Sequence, residues 1–167
     1  MKNIARLLLS AGISLITVLI VSGCQTTRET LNLDTNAEVH LYAGEHINPD
    51  QDSRASPLVI RLFKLADDRQ FGREDFLNLY ENAENRLGKD LLDTIVLKEL
   101  APGEHRVENL SLTPEVAYIG VLAEFVQYQD ASAVTIFPIT AHTSNEIHLQ
   151  IEKLALKAGK PIKKSRR

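Results

Sequence analysis

Between residues 38 and 152, apolar side chains return at every second position in short runs, and turn-forming residues close almost every run. Val39, Leu41 and Ala43 alternate with Glu38, His40, Tyr42 and Gly44, and Ile147, Leu149 and Ile151 alternate with His148, Gln150 and Glu152. A period of two gives a strand one buried face and one polar face. His40 and His148 fall on the polar parity, so both read as solvent-facing. Residues 58–65 are apolar at both parities, which suits a central strand covered on both sides for part of its length. Further strands are expected at 92–100, His105–Leu112, 117–126 and 134–139, with turns at Pro102-Gly103 and Thr113-Pro114. About seven strands of this kind predict a mainly β fold, an antiparallel β-sandwich.

One stretch departs from that period. Phe76, Leu79/Tyr80, Ala83 and Leu87 recur at helical spacing, with Glu74 and Asp75 at the start, where the helix dipole favours negative charge, and Gly88 as a stop. The sandwich therefore carries a helical insertion between early strands.

The N-terminus has a separate function. Lys2 and Arg6 precede a fifteen-residue apolar run over 7–21, shorter than the roughly 20 residues a spanning helix needs. Val21-Ser22-Gly23-Cys24 follows, and it resembles the bacterial lipobox, after which the Cys sulfur and the new amino group are both acylated. The alternative is an ordinary secretory signal with an incidental Cys. Cys24 is the chain's only cysteine, and its place at the cleavage position favours the lipoprotein. Two or more acyl chains anchor firmly where one binds marginally. By resemblance to enterobacterial-type sorting rules, Gln25 after the Cys favours the outer membrane. The chain thus divides into a signal peptide over 1–23, a lipidated N-terminus and tether over 24–36, a sandwich over 37–156 and a basic disordered tail over 157–167.

Charge and motif content exclude several functions. Residues 24–156 hold 11 basic and 22 acidic side chains, a net charge of −11, and 157–167 add six bases. An acidic body lacks the basic face that nucleic acid requires. One Cys permits neither an internal disulfide nor a Cys-based zinc cluster. His40, His46, His105, His142 and His148 show no ligand spacing along the chain, and no nucleophile elbow or phosphate loop is present. The acid pairs Asp67-Asp68 and Glu74-Asp75 are adjacent and do not face each other across a cleft as a glycosidase requires. No metal, cofactor, catalytic residue or small-molecule substrate is expected. The segment from Ile47 to Pro57 is long for a connection between sequential strands and carries two prolines. It reads equally as a preformed recognition surface or as a tolerated insertion.

Ordered blocks carry a more specific likeness. Ile47-Asn48-Pro49-Asp50, Arg54 and Ser56-Pro57 are followed by Leu87-Gly88-Lys89-Asp90, Leu100-Ala101-Pro102-Gly103-Glu104 and Tyr118-Ile119-Gly120. Together with the lipobox, this set is similar to the type VI secretion outer-membrane lipoprotein, the TssJ family. The resemblance implies a transthyretin-like sandwich, a structural and non-enzymatic role, and a place on the periplasmic side of the outer membrane. It implies binding to the periplasmic C-terminal domain of TssM, in an envelope-spanning complex with TssL. The partner-binding residues it implies are Ile47, Asn48, Pro49, Asp50, Arg54, Ser56 and Pro57. Val126-Gln127 and Ala133-Val134 stand where the family often has Arg-Asp and Trp-Arg, and the tail lies outside the shared pattern. Readings from other classes are a periplasmic ligand-binding or pilotin-like lipoprotein, or a transthyretin-like hydrolase. The chain ends Ile162-Lys163-Lys164-Ser165-Arg166-Arg167, unlike the Tyr-Arg-Gly-Ser ending of such hydrolases.

Overall fold

A computed structural model describes residues 34–160. The signal peptide, Cys24 and most of the expected tether lie outside the described residues, as do residues 161–167 of the tail. Two four-stranded sheets face each other. One has the order β4-β1-β7-β8 and the other β3-β2-β5-β6. The strands are β1 (Thr35–Ala43), β2 (Ile60–Leu65), β3 (Leu91–Val96), β4 (His105–Leu112), β5 (Tyr118–Ala123), β6 (Val134–Pro138), β7 (Ser144–Glu152) and β8 (Ala155–Ala158). Among the described residues the one α-helix, α1 (Phe76–Leu87), lies between β2 and β3, where the sequence places its insertion.

The period-two pattern produces the core directly. Ala37, Val39 and Leu41 of β1 and Ile147, Leu149 and Ile151 of β7 are buried, as are Ile60 and Leu62 of β2 with Val121 and Ala123 of β5. By strand parity, Phe63 points to the opposite side of its sheet, where its ring meets that of Phe71 at 5.5 Å. That explains the apolar residues at both parities of β2. Gly120, paired with Phe63, leaves room for the same ring: a Cβ there would come within 2.6 Å of Phe71.

Local chemistry sets the limits of α1. The Asp75 side chain accepts the N–H of Asn78 at 2.8 Å as an N-cap. Gly88 ends the helix at φ 53°, a conformation that costs glycine little. Leu79 and Leu87 are buried, whereas Tyr80 lies out on the surface. The Arg61 guanidinium sits 5.2 Å over the Tyr80 ring and pairs with Glu124 at 2.6 Å, which fastens α1 to β2 and the end of β5.

The sandwich is antiparallel as expected, with one exception among the described strand pairs: β1 runs antiparallel to β4 but parallel to β7. Both strands expose similar alternations, and only the crossover between sheets decides their relative direction. The sandwich spans 35–158, so Thr35 and Asn36 belong to β1 rather than to a tether. Lys157 likewise belongs to an eighth strand, β8, not to the tail. Finally, His148 is buried at 8% exposure and its ring stacks on that of His40 at 4.5 Å. The polar parity of a strand faces solvent only where nothing packs over it, and here the neighbouring strand's side chain does.

Candidate functional site

The connection from β1 to β2 is an ordered loop built on one buried asparagine. Asn48 is 2% exposed and adopts φ 46°, a left-handed conformation that Asn tolerates better than most residues. Its Nδ2 donates to the Pro57 carbonyl at 2.7 Å, and its Oδ1 accepts the Val126 N–H at 2.8 Å. Its own N–H donates to the Lys153 carbonyl at 2.8 Å, and its carbonyl accepts the Ser56 hydroxyl. One side chain thus joins both ends of the loop to the segment after β5. Beside it, Ile47 is fully buried in the core. Its side chain anchors the loop in the core and presents nothing outward.

Above this base the loop folds on Asp50. Asp50 Oδ1 accepts the N–H groups of Asp52 and Arg54, each at 2.9 Å, and Oδ2 accepts Arg54 Nε at 2.9 Å. Arg54 also reaches Asp52 at 3.0 Å. This is the local Asx-type bonding that lets a short polar side chain substitute for backbone partners in a turn. The Arg54 N–H does most to hold the Asp50 carboxyl below the usual carboxylate range. The Arg54 guanidinium and the Asp52 N–H add to it against an opposing desolvation. Ser53, at φ 62°, completes the turn. Arg54 is 73% exposed at its side chain, and Gln51, Asp52, Ser53, Ala55 and Pro57 are exposed around it. The outward surface of the loop is therefore polar, charged and held in one shape.

Two further contributors lie far away in sequence. Gln127 Nε2 donates to the carbonyls of Pro49 and Asp50, at 2.8 and 3.1 Å. The Val126 N–H holds Asn48 as described. These are the positions at which the chain departs from the Arg-Asp common in the resembled family, and here they secure the loop. No local signal in the sequence identifies them, since 78 residues separate the partners. Val126 also opens onto a shallow cleft of about 280 Å³, lined by Phe76, Leu77, Tyr80, Phe125 and Tyr128 with Glu124 at its side. Phe76 and Tyr128 stack there at 4.8 Å. Leu77, Tyr80 and Val126 are exposed. An apolar strip thus adjoins the charged loop.

Outside the loop, Arg106 and Glu104 secure the turn before β4. Arg106 Nε donates to Glu104 at 2.7 Å, and its two terminal nitrogens donate to the carbonyls of Lys98 and Glu99. That bond, with the Ala101 N–H, brings the Glu104 carboxyl down to about 2. Among the described residues, no three His, Cys, Asp or Glu side chains converge, as they stand, on a point that could hold a metal ion.

These features define a two-sheet domain whose core is filled by its own side chains and whose distinctive surface is a rigid loop beside an apolar cleft. The profile of the type VI secretion lipoprotein family (VasD, EvfM, TssJ) matches residues 35–154, and the chain belongs to that family. Its structure is similar to that of the type VI secretion lipoprotein TssJ1 from Pseudomonas aeruginosa, with a TM-score of 0.71 at 26% identity over 77% of this chain and 98% of that one. Lip from Serratia marcescens, a membrane-bound component of the type VI secretion system, shares the fold with a TM-score of 0.69 at 22% identity over 78% and 99% of the two chains. A chain in a structure of the TssM C-terminal domain from EAEC shares it with a TM-score of 0.63 at 18% identity over 77% and 99%. No curated protein sequence matches.

Proposed function

We propose that this chain is the lipoprotein that ties the type VI secretion membrane complex to the outer membrane. Acyl chains on Cys24, a diacylglycerol on sulfur and a further chain on nitrogen, hold it to the inner leaflet. The sandwich then stands in the periplasm. The rim formed by Pro49, Asp50, Arg54, Ser56 and Pro57 binds the periplasmic C-terminal domain of TssM, in an assembly that includes TssL. Asn48 shapes this surface from below.

The observation that carries the reading is the internal bonding of the loop. A connection cross-braced by Asn48, Asp50 and Gln127 loses little entropy on binding, so its contacts convert efficiently into affinity. The adjoining exposed Leu77, Tyr80 and Val126 supply the apolar centre that a charged rim needs around it. Likeness to a chain in a structure of a TssM domain supports the choice of partner.

The test titrates purified TssM C-terminal domain against the full chain in detergent. Replacing residues 51–55 by a two-glycine link is expected to weaken binding by about tenfold or more while the melting temperature holds. Undiminished affinity would reject the loop as the contact. Cys24→Ser is expected to move the protein from the membrane to the soluble fraction, and retention in the membrane would reject the anchor.

A further inference from the structure

The chain enters and leaves the sandwich through the same sheet, and the strand directions set both routes. β1 begins at Thr35, soon after the segment that carries Cys24. β7 runs parallel to β1, with Ser144 beside Asn36, so both strands start at one end of the sheet. β4 stops at that same end, with Leu112 opposite Thr35. β8 runs antiparallel to β7, with Ala158 opposite Leu149, and therefore heads back towards it. The Gly159 N–H donates to the His148 carbonyl at 2.7 Å, which carries this direction past the last residue of β8. The loop from Ile47 to Pro57 lies at the opposite end, where the Asn48 N–H meets the Lys153 carbonyl at the turn between β7 and β8.

Reach and charge follow from these directions. From His148 back to Ser144 the strand covers about 13 Å. The residues from Lys160 to Arg167 can span up to about 26–29 Å. Lys163, Lys164, Arg166 and Arg167 can therefore extend past the end of the sheet at which the Cys24 tether joins. That end is acidic in itself. Asp34, Glu38, Glu115 and Glu146 are exposed there, and Glu38 lies opposite Glu146. Its segments 34–38, 111–116 and 140–146 contain no Lys or Arg. A membrane surface bearing anionic phospholipid repels such a face, whereas each Lys or Arg held near it raises partitioning about fivefold. The six bases from Lys157 onward, with no acid among them, offset part of the −11 carried by residues 24–156 at the place where the repulsion acts.

We propose that the basic C-terminal segment is a second, electrostatic membrane contact, in which Lys163, Lys164, Arg166 and Arg167 bind the phosphates of anionic phospholipid at the same end of the sandwich as the acyl chains. Two contacts at one end restrict rotation of the sandwich and turn the loop end away from the membrane, towards the periplasmic partner. The proposal rests on the lipoprotein reading for which membrane the segment meets. The attraction itself needs no acyl chain, so it is tested without one.

The test uses the whole chain beyond the signal peptide, carrying Cys24→Ser, and co-sedimentation with vesicles. The vesicles are phosphatidylethanolamine alone, or the same lipid with about one third phosphatidylglycerol. Binding to the anionic vesicles is expected, falling at least tenfold on neutral ones and again in about 0.5 M salt. Replacing Lys163, Lys164, Arg166 and Arg167 together by Gln should weaken it at least tenfold while the melting temperature holds. A polarity-sensitive dye on Ala141→Cys, at the tether end, should respond to the anionic vesicles, and one on Ala55→Cys, in the partner loop, should not. Absence of binding overturns the proposal, and it is the result expected if Glu38 and Glu146 capture the segment within the chain. Equal binding to both vesicles, binding that survives the four replacements, or a response at residue 55 and not at 141 overturns it too. Failure of the Cys24→Ser fractionation experiment would reject the acyl anchor and leave these measurements unchanged.

Discussion

Asn48→Ala is the most informative single change in the loop. Truncation removes the bonds to the Pro57 carbonyl and the Val126 N–H, 2.7 and 2.8 Å long. Both freed groups are near the surface, where water re-satisfies them in part, so each loss costs about 1 kcal/mol, the low end for a broken hydrogen bond. Alanine must also hold φ near 46°, which costs roughly 1 kcal/mol more. The sum, about 3 kcal/mol, is a large share of the 5–15 kcal/mol typical of a domain and corresponds to a fall of about 10 °C in melting temperature. Asn48→Gly separates the two causes. It keeps the left-handed backbone and loses only the bonds, so it should fall by about 2 kcal/mol. Thermal unfolding followed by circular dichroism reads both values, and affinity for the TssM domain should fall in parallel as the loop loosens. An alanine variant melting within about 2 °C of the parent would refute the assignment of Asn48 as the keystone of the loop.

Other consequences are equally direct. The folded pKa of Asp50 is depressed, so its contribution is present above its ordinary value of 3.8 and is lost as pH falls through the lower folded value. Amide exchange at residues 51–54, followed as pH falls from neutral to well below 3.8, should show the loop opening only in acid, and Asp50→Asn should open it throughout. Arg106→Ala should cost about 1–2 kcal/mol through the lost bonds to Lys98 and Glu99, discounted for partial exposure, as measured by urea unfolding. It should also return the Glu104 carboxyl from about 2 towards its usual value of 4.5, visible by NMR titration. Gly120→Ala drives a Cβ into the Phe71 ring and should destabilise by about 1–3 kcal/mol in the same assay, with Phe71→Leu in the same chain restoring part of the loss.

Much of the fold was legible because the signals that specify it are local. The alternation over 38–44 and, apart from His148, over 147–152, the helical spacing from Phe76 to Leu87 and the stop at Gly88 each depend on neighbours a few residues away, and each appears as read. The loop from Ile47 to Pro57 was visible through its prolines and length. Its internal division was not: Ile47 turned inward, Asn48 became the buried brace, and Gln127 supplied bonds from 77 and 78 residues away. The eighth strand was missed because the basic residues around Ala155–Ala158 read as a solvated end, although one face of that strand is buried through Leu156.

The two histidines show the same boundary most clearly. Residue type and period assigned strands, faces and a capped helix, because backbone geometry repeats every two or 3.6 residues and side chains within that reach follow it. Those same rules placed His40 and His148 on polar faces, more than a hundred residues apart, with no reason to connect them. Only the sheet order, with β7 laid parallel beside β1, set them in register, stacked their rings and brought two glutamates face to face. Strand pairing is a choice among distant segments of similar pattern, decided by how the whole core closes. The properties that depend on it therefore belong to the tertiary structure.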